Sequence, residues 1–130
     1  MPYSFSIDKG QRLIRLRVEG TLSADEWMTS FTAITKHPDF QGDFDHIVDI
    51  NTLVADREFS AHLITRATHD RLHGKALAGA RLAIIAGNHF SRAVARMYRD
   101  LVQDEAWFMI RIFDDVAGAE HWLRHPQQAA

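Results

Sequence analysis

Hydrophobic and polar residues alternate strictly in the first two runs of the chain. In YSFSI (3–7), Tyr3, Phe5 and Ile7 share one face. In RLIRLRVEG (12–20), Ile14, Leu16 and Val18 face one way and Arg15, Arg17 and Glu19 the other. A period of two marks strands, and the intervening DKGQ makes the pair a β-hairpin. The period then changes. Ala24, Trp27, Met28, Phe31 and Ile34 recur at helical spacing behind SADE (23–26). That tetrad is a capping box: Ser23 bonds the free N–H groups of the first turn and Glu26 reaches back, with Leu22 and Trp27 placed as a hydrophobic staple. Pro38 ends this helix by disfavouring helical geometry at His37, and PDFQGDFD reads as loop.

HIVDI (46–50) is nearly continuous in apolar residues, the pattern of a strand covered on both faces. A helix carrying Leu63, Ile64, Ala67 and Leu72 follows Ser60 and ends near Gly74. ARLAIIAG (80–87) is a second buried strand. Asn88 or Ser91 then caps a helix whose apolar stripe is Phe90, Ala93, Val94, Met97, Leu101 and Val102. WFMIRIF (107–113) is the last strand, and Asp114 or Asp115 caps a short helix holding Val116, Ala119, Trp122 and Leu123. The order β-β-α-β-α-β-α-β-α implies right-handed crossovers and mainly parallel pairing of the last three strands, with the hairpin antiparallel. The expectation is one α/β domain over 1–130 with a mixed five-stranded sheet and four flanking helices; the tail, 126–130, is expected to fray.

Composition narrows the function classes. A chain of 130 residues, 46% of them hydrophobic, can bury a real core without staples. It has no cysteine, which excludes disulfides, thiolate metal sites and cysteine nucleophiles and suits a reducing cytoplasm. A net charge of −2 argues against a nucleic-acid partner. No apolar stretch approaches the roughly 20 residues of a membrane span. The first ten residues lack the basic and apolar regions of a signal peptide.

In open α/β sheets, ligands gather at the carboxyl ends of parallel strands. Three loops fall there: 49–59, 87–89 and 114–115. Asp49 interrupts an apolar strand, so its carboxylate needs a partner or a proton. It can serve as a general base or stand near a phosphate; the simpler reading is that it bonds loop amides or pairs with Arg57. The simpler reading is favoured, since no nucleophile or metal partner accompanies it. Ser60, after Phe59 and four residues before Ile64, reads as an N-cap with a staple rather than a reactive or phosphorylated serine. Gly87-Asn88-His89 opens a helix that can hold an anion, but it lacks Gly-rich phosphate-binding spacing. Arg92, Arg96 and Arg99 line one helix face, read as solvated and balanced by Asp100 and Asp104, or as a docking stripe for an acidic partner or anionic lipid. His69/His73 and His121/His125 have i,i+4 spacing, with His62 and Arg66 on much the same face as the first pair. Neither pair has an HExxH glutamate or an evident third ligand, so a solvated histidine face is expected, and no metal or cofactor.

These patterns together resemble the SpoIIAA-like family, relatives of the STAS domains of anti-sigma-factor antagonists. The resemblance rests on YSFSI…RLIRLRVEG, HPDF, HIVDI, ARLAIIAG, ARMYRDL and RIFDDVAGAEHWL, and it spans nearly the whole chain. It implies a mixed sheet surrounded by helices and a role in binding or regulation. In antagonists of this type, a strand-end aspartate precedes an Asp-Ser-Ser-Gly loop in which one serine is phosphorylated. Asp49 matches the aspartate. The loop here reads Asp56-Arg57-Glu58, so the phosphorylation switch does not carry over.

The leading expectation is a non-catalytic interaction domain, self-associating as a homodimer or binding a protein partner. Its contact surface is the C-terminal sheet edge, with Asp49, Asp56, Arg57, Asn88, His89, Arg92 and Arg96 as candidate residues. The alternative is a small anionic or amphipathic ligand, or lipid, at the same edge, with Phe59, Phe90 and Tyr98 as walls and Arg57, His89 and Arg92 as charge. An enzyme ranks last; it requires Asp49 and His89 within reach of one bound group.

Overall fold

Tyr3–Asp8 (β1) and Leu13–Gly20 (β2) pair antiparallel, with Phe5 opposite Leu16 and Ile7 opposite Ile14. The computed structural model describes residues 3–21, 23–54, 57–102 and 107–125; the staple at Leu22 lies outside them. The elements that follow are Ala24–Thr35 (α1), Asp45–Leu53 (β3), Phe59–His73 (α2), Arg81–Ile85 (β4), His89–Val102 (α3), Met109–Phe113 (β5) and Val116–Arg124 (α4). Ser23 caps α1 with both arms of the capping box formed.

The strands lie side by side in chain order, β1-β2-β3-β4-β5, and every pair after the hairpin is parallel. Parallel pairing therefore starts one strand earlier than the sequence suggests. Strict sequential order has a consequence. Right-handed crossovers that always step the same way put every crossover helix on one face. So α1, α2 and α3 cover one side, where Ile14, Leu16, Val18, Ile50 and Ile84 pack with Trp27, Leu63, Val94 and Val102. The other side is covered by α4, whose Ala119 and Trp122 pack on Leu13, Ile47, Ala83 and Ile85. Full burial of side chains such as Ile14 and Val18 contributes about 1.5–3 kcal/mol each.

Two helices are rotated from the expected stripe. In α2 the inward positions are Leu63, Ala67 and Asp70. Ile64 and Leu72 point outward, at 53% and 71% exposure. In α3 the inward set is Ser91, Val94, Ala95, Tyr98 and Val102, while Ala93 and Met97 are exposed. The inward faces share a polar contact: Asp70 and Tyr98 are buried against each other, with the Tyr98 hydroxyl donating to Asp70.

Candidate functional site

At the carboxyl end of the sheet, β3 runs on to Leu53 because Ile50 and Leu53 are both buried. Asp49 is therefore mid-strand rather than at a strand end. It lies beside Arg17 and Ile85 in the pairing, on the α4 side of the sheet, and accepts from the Asn51 amide at 2.9 Å. The carboxylate thus bonds a backbone amide, a structural role, but the amide belongs to β3 itself and not to the following loop. His89 opens α3, which packs on the opposite side of the sheet, and its side chain is exposed.

Ser60 does not cap α2. The helix begins at Phe59, Glu58 occupies the cap position without a side-chain cap bond, and Ser60 is an exposed first-turn residue. Starting one residue earlier aims the Phe59 ring at Phe90, 5.5 Å away between centroids, so Ile64 forms no staple.

The β4–α3 junction is built tightly. Asn88 is the cap: its side chain accepts from Ser91 N–H at 2.9 Å, and the Ser91 hydroxyl oxygen accepts from Asn88 N–H at 3.3 Å. Asn51, which no sequence signal marked, ties this junction to β3. Its side-chain oxygen accepts from Gly87 N–H at 2.6 Å, and its carbonyl accepts from the Asn88 amide at 2.9 Å. Asn88 thus has a structural role. A Cβ on Gly87 would lie 2.7 Å from the Asp114 carbonyl oxygen and 3.3 Å from Asn51 Oδ1. Gly87→Ala is therefore expected to cost about 1–3 kcal/mol by forcing the β4 and β5 ends apart, read out as a lower urea midpoint.

Of the other candidates, Arg57, His89 and Arg96 are exposed, and Arg92 pairs with Asp114. Asp56 lies outside the described residues, as does Asp104. Arg99 approaches Asp100 at 3.8 Å, so the arginine stripe is partly neutralised. Phe90 is 37% exposed, and Val54 and Val116 stand exposed at the same end of the sheet.

The α2 histidine face is only partly solvated: His73 is exposed, while His62 and His69 are half-buried and engaged. His62 Nδ1 accepts from Ala24 N–H at 3.0 Å, serving the first turn of α1. Arg66 lies over the Trp27 ring at 4.7 Å and donates Nε–H to Asp70 at 2.6 Å. His69 Nδ1 is 3.1 Å from Asp70 Oδ1, and its ring meets Phe31 edge-on. The His69/His73 and His121/His125 rings each lie close together, but no group of three metal-ligating side chains forms among the described residues.

This polar cluster borders a cavity of about 70 Å³ between the sheet and the three-helix layer. Tyr98 lines this cavity and not the rim, which corrects its expected place as a wall of an edge site. Burial, and then the adjacent Asp70 carboxylate, push the Tyr98 phenol well above its ordinary range, so it stays protonated as a donor. His46, on β3, also faces the cavity at 6% exposure. Burial pulls its pKa from 6.5 to about 4; Asp45 opposes the fall and Arg66 adds to it. His46 Nε2 and Arg66 Nη1 are buried and make no hydrogen bond among the described residues.

Among solved structures, the chain is similar to an uncharacterized protein of the DUF3478 family with a SpoIIAA-like fold from Shewanella loihica PV-4. Identity is 17%, 93% of each chain is covered, and the TM-score is 0.63. No family model and no curated protein matches the sequence. The fold is SpoIIAA-like: α/β, with a five-stranded mixed sheet and four α-helices. No helix among the described residues is long and apolar enough to cross a membrane.

Proposed function

We propose that the protein is a non-catalytic interaction domain that self-associates as a two-fold dimer through the rim at the carboxyl end of its sheet. The observation that carries this reading is the exposed Phe90, whose ring meets that of Phe59 at a tilt at that rim. Val54 and Val116 are further exposed apolar residues at this end of the sheet, and Arg57, Asp114 and Asp115 supply both signs of charge there. An apolar centre within a polar border is the usual anatomy of an interface. Mixed charge suits a two-fold contact, in which the same patch must complement itself. Asp49 faces the α4 side of the sheet while His89 opens α3 on the other, an arrangement that favours a role without catalysis. The SpoIIAA-like fold adds support for binding by analogy, and the cysteine-free chain suits a reducing, cytoplasmic setting.

The test is sedimentation velocity over a concentration series. The wild type is expected to shift from monomer to dimer as concentration rises. Phe90→Glu places a charge at the patch centre and is expected to weaken association by on the order of 100-fold, with an unchanged circular dichroism spectrum. A wild type that stays monomeric at millimolar concentration, or a variant that dimerises normally, contradicts the reading.

A further inference from the structure

The cavity beneath α1, α2 and α3 is distinct from the rim. Its walls are largely apolar, with Trp27, Ile34, Leu63, Leu82 and Val94 among them. Two polar atoms break that surface: His46 Nε2 and Arg66 Nη1, both out of water's reach and both without a partner among the described residues. An unmade hydrogen bond on a buried donor costs about 1–3 kcal/mol, so such atoms call for a partner, and an ordered water or a bound molecule supplies one. His46 on β3 and Arg66 on α2 present these atoms from facing sides of the cavity, and between them lies the place for that molecule's polar atom.

The charge already present limits its chemistry. Arg66 is neutralised by Asp70, which also accepts from Tyr98. His46 is uncharged near neutral pH because its burial disfavours the proton. The cluster is thus close to neutral overall, and an added carboxylate or phosphate would bring in an unbalanced buried charge. A hydroxyl fits instead. It accepts from the Arg66 Nη1–H and donates to an unprotonated His46 Nε2, satisfying both atoms with one oxygen. The size is limited too. At roughly 10–15 Å³ for one water-sized position, about 70 Å³ holds a compact body of only a few heavy atoms. Half-buried Phe31, Thr35 and Leu77 mark the side nearest solvent.

We infer that this cavity is a binding site for a small uncharged hydroxyl compound, a short-chain alcohol in its simplest form, held by Arg66 Nη1 and His46 Nε2 and enclosed by apolar side chains.

The experiment is a two-dimensional NMR titration of the full chain with 1-butanol, with butyrate as an anionic probe of similar size. Saturable shifts with 1-butanol are expected at Leu63, Leu82, Val94 and the Tyr98 ring, and butyrate is expected to leave them unmoved. His46→Leu removes one polar partner without stranding a charge, and its affinity for 1-butanol is expected to fall about tenfold. A crystal structure grown with 1-butanol supplies the second readout, independent of the variant's folding. Density for the alcohol with its oxygen between Arg66 and His46 upholds the inference. Ordered waters alone in the cavity, non-saturable shifts, or equal shifts with butyrate would overturn it.

Discussion

Asp70→Ala is expected to destabilise the protein by about 3–5 kcal/mol, the scale for breaking one side of a buried ion pair. The carboxylate is 2% exposed and is shared by Arg66, Tyr98 and His69. Removing it strands the guanidinium of Arg66, whose side chain is only 15% exposed, and leaves the Tyr98 hydroxyl without its acceptor. Tm should drop on the order of 10–20 °C. Asp70→Asn keeps an acceptor for Tyr98 and loses only the charge, so it should fall between wild type and alanine. The double variant Arg66→Met/Asp70→Leu replaces the pair with apolar groups and should recover most of the loss, because neither ion is left unpaired. Chemical denaturation of the set measures all three. A loss below about 1 kcal/mol for Asp70→Ala would show that the cluster does not hold α2 to α3.

Acid should weaken the fold through His46. Its pKa is about 4 in the folded protein and 6.5 when exposed, so between these values the unfolded chain binds the extra proton. The contribution is complete above pH 6.5 and is lost as pH falls toward 4. The difference corresponds to about 3 kcal/mol across that window. Two charges act on the imidazole, Asp45 beside it and Arg66 from α2 across the cavity, and Asp70, which lines the same cavity, is paired to that arginine. Carboxylates also titrate in this range, so the informative quantity is a difference. Urea unfolding of wild type and His46→Leu at pH 7.5, 6 and 5 should show the wild type losing stability relative to the variant as pH falls. Parallel curves would remove His46 as the acid-sensitive group.

Much of the fold is legible in the sequence because each element carries its own local signal. The alternation in YSFSI and RLIRLRV sets the hairpin register, SADE fixes the start of α1, and Asp115 caps α4 through the Gly118 amide. Helix rotation is less legible, because it was read from apolar residues. In α2, Leu63, Ile64 and Leu72 outweigh a buried aspartate on any apolar count, yet Asp70 gains three polar partners inside and Leu72 gains none. The i,i+4 pair Arg66/Asp70 was visible, but burial of that pair depends on Tyr98, 28 residues further on. Asn51 was missed for a related reason. Its partners, Gly87 and Asn88, are distant in sequence and meet it only once β3 and β4 are parallel neighbours. Ser60 shows the opposite case: a good local cap motif gives way where Phe59 begins the helix and its ring meets Phe90.

The proposed interface is tested most directly by isotope-filtered NOE spectroscopy on an equal mixture of labelled and unlabelled protein. Contacts between copies should run from the Phe59 and Phe90 rings to the methyl groups of Val54 and Val116. Contacts between copies that arise instead from the outer strand at Met109, or none at concentrations where the protein sediments as a dimer, would contradict the assignment of the rim as the interaction surface.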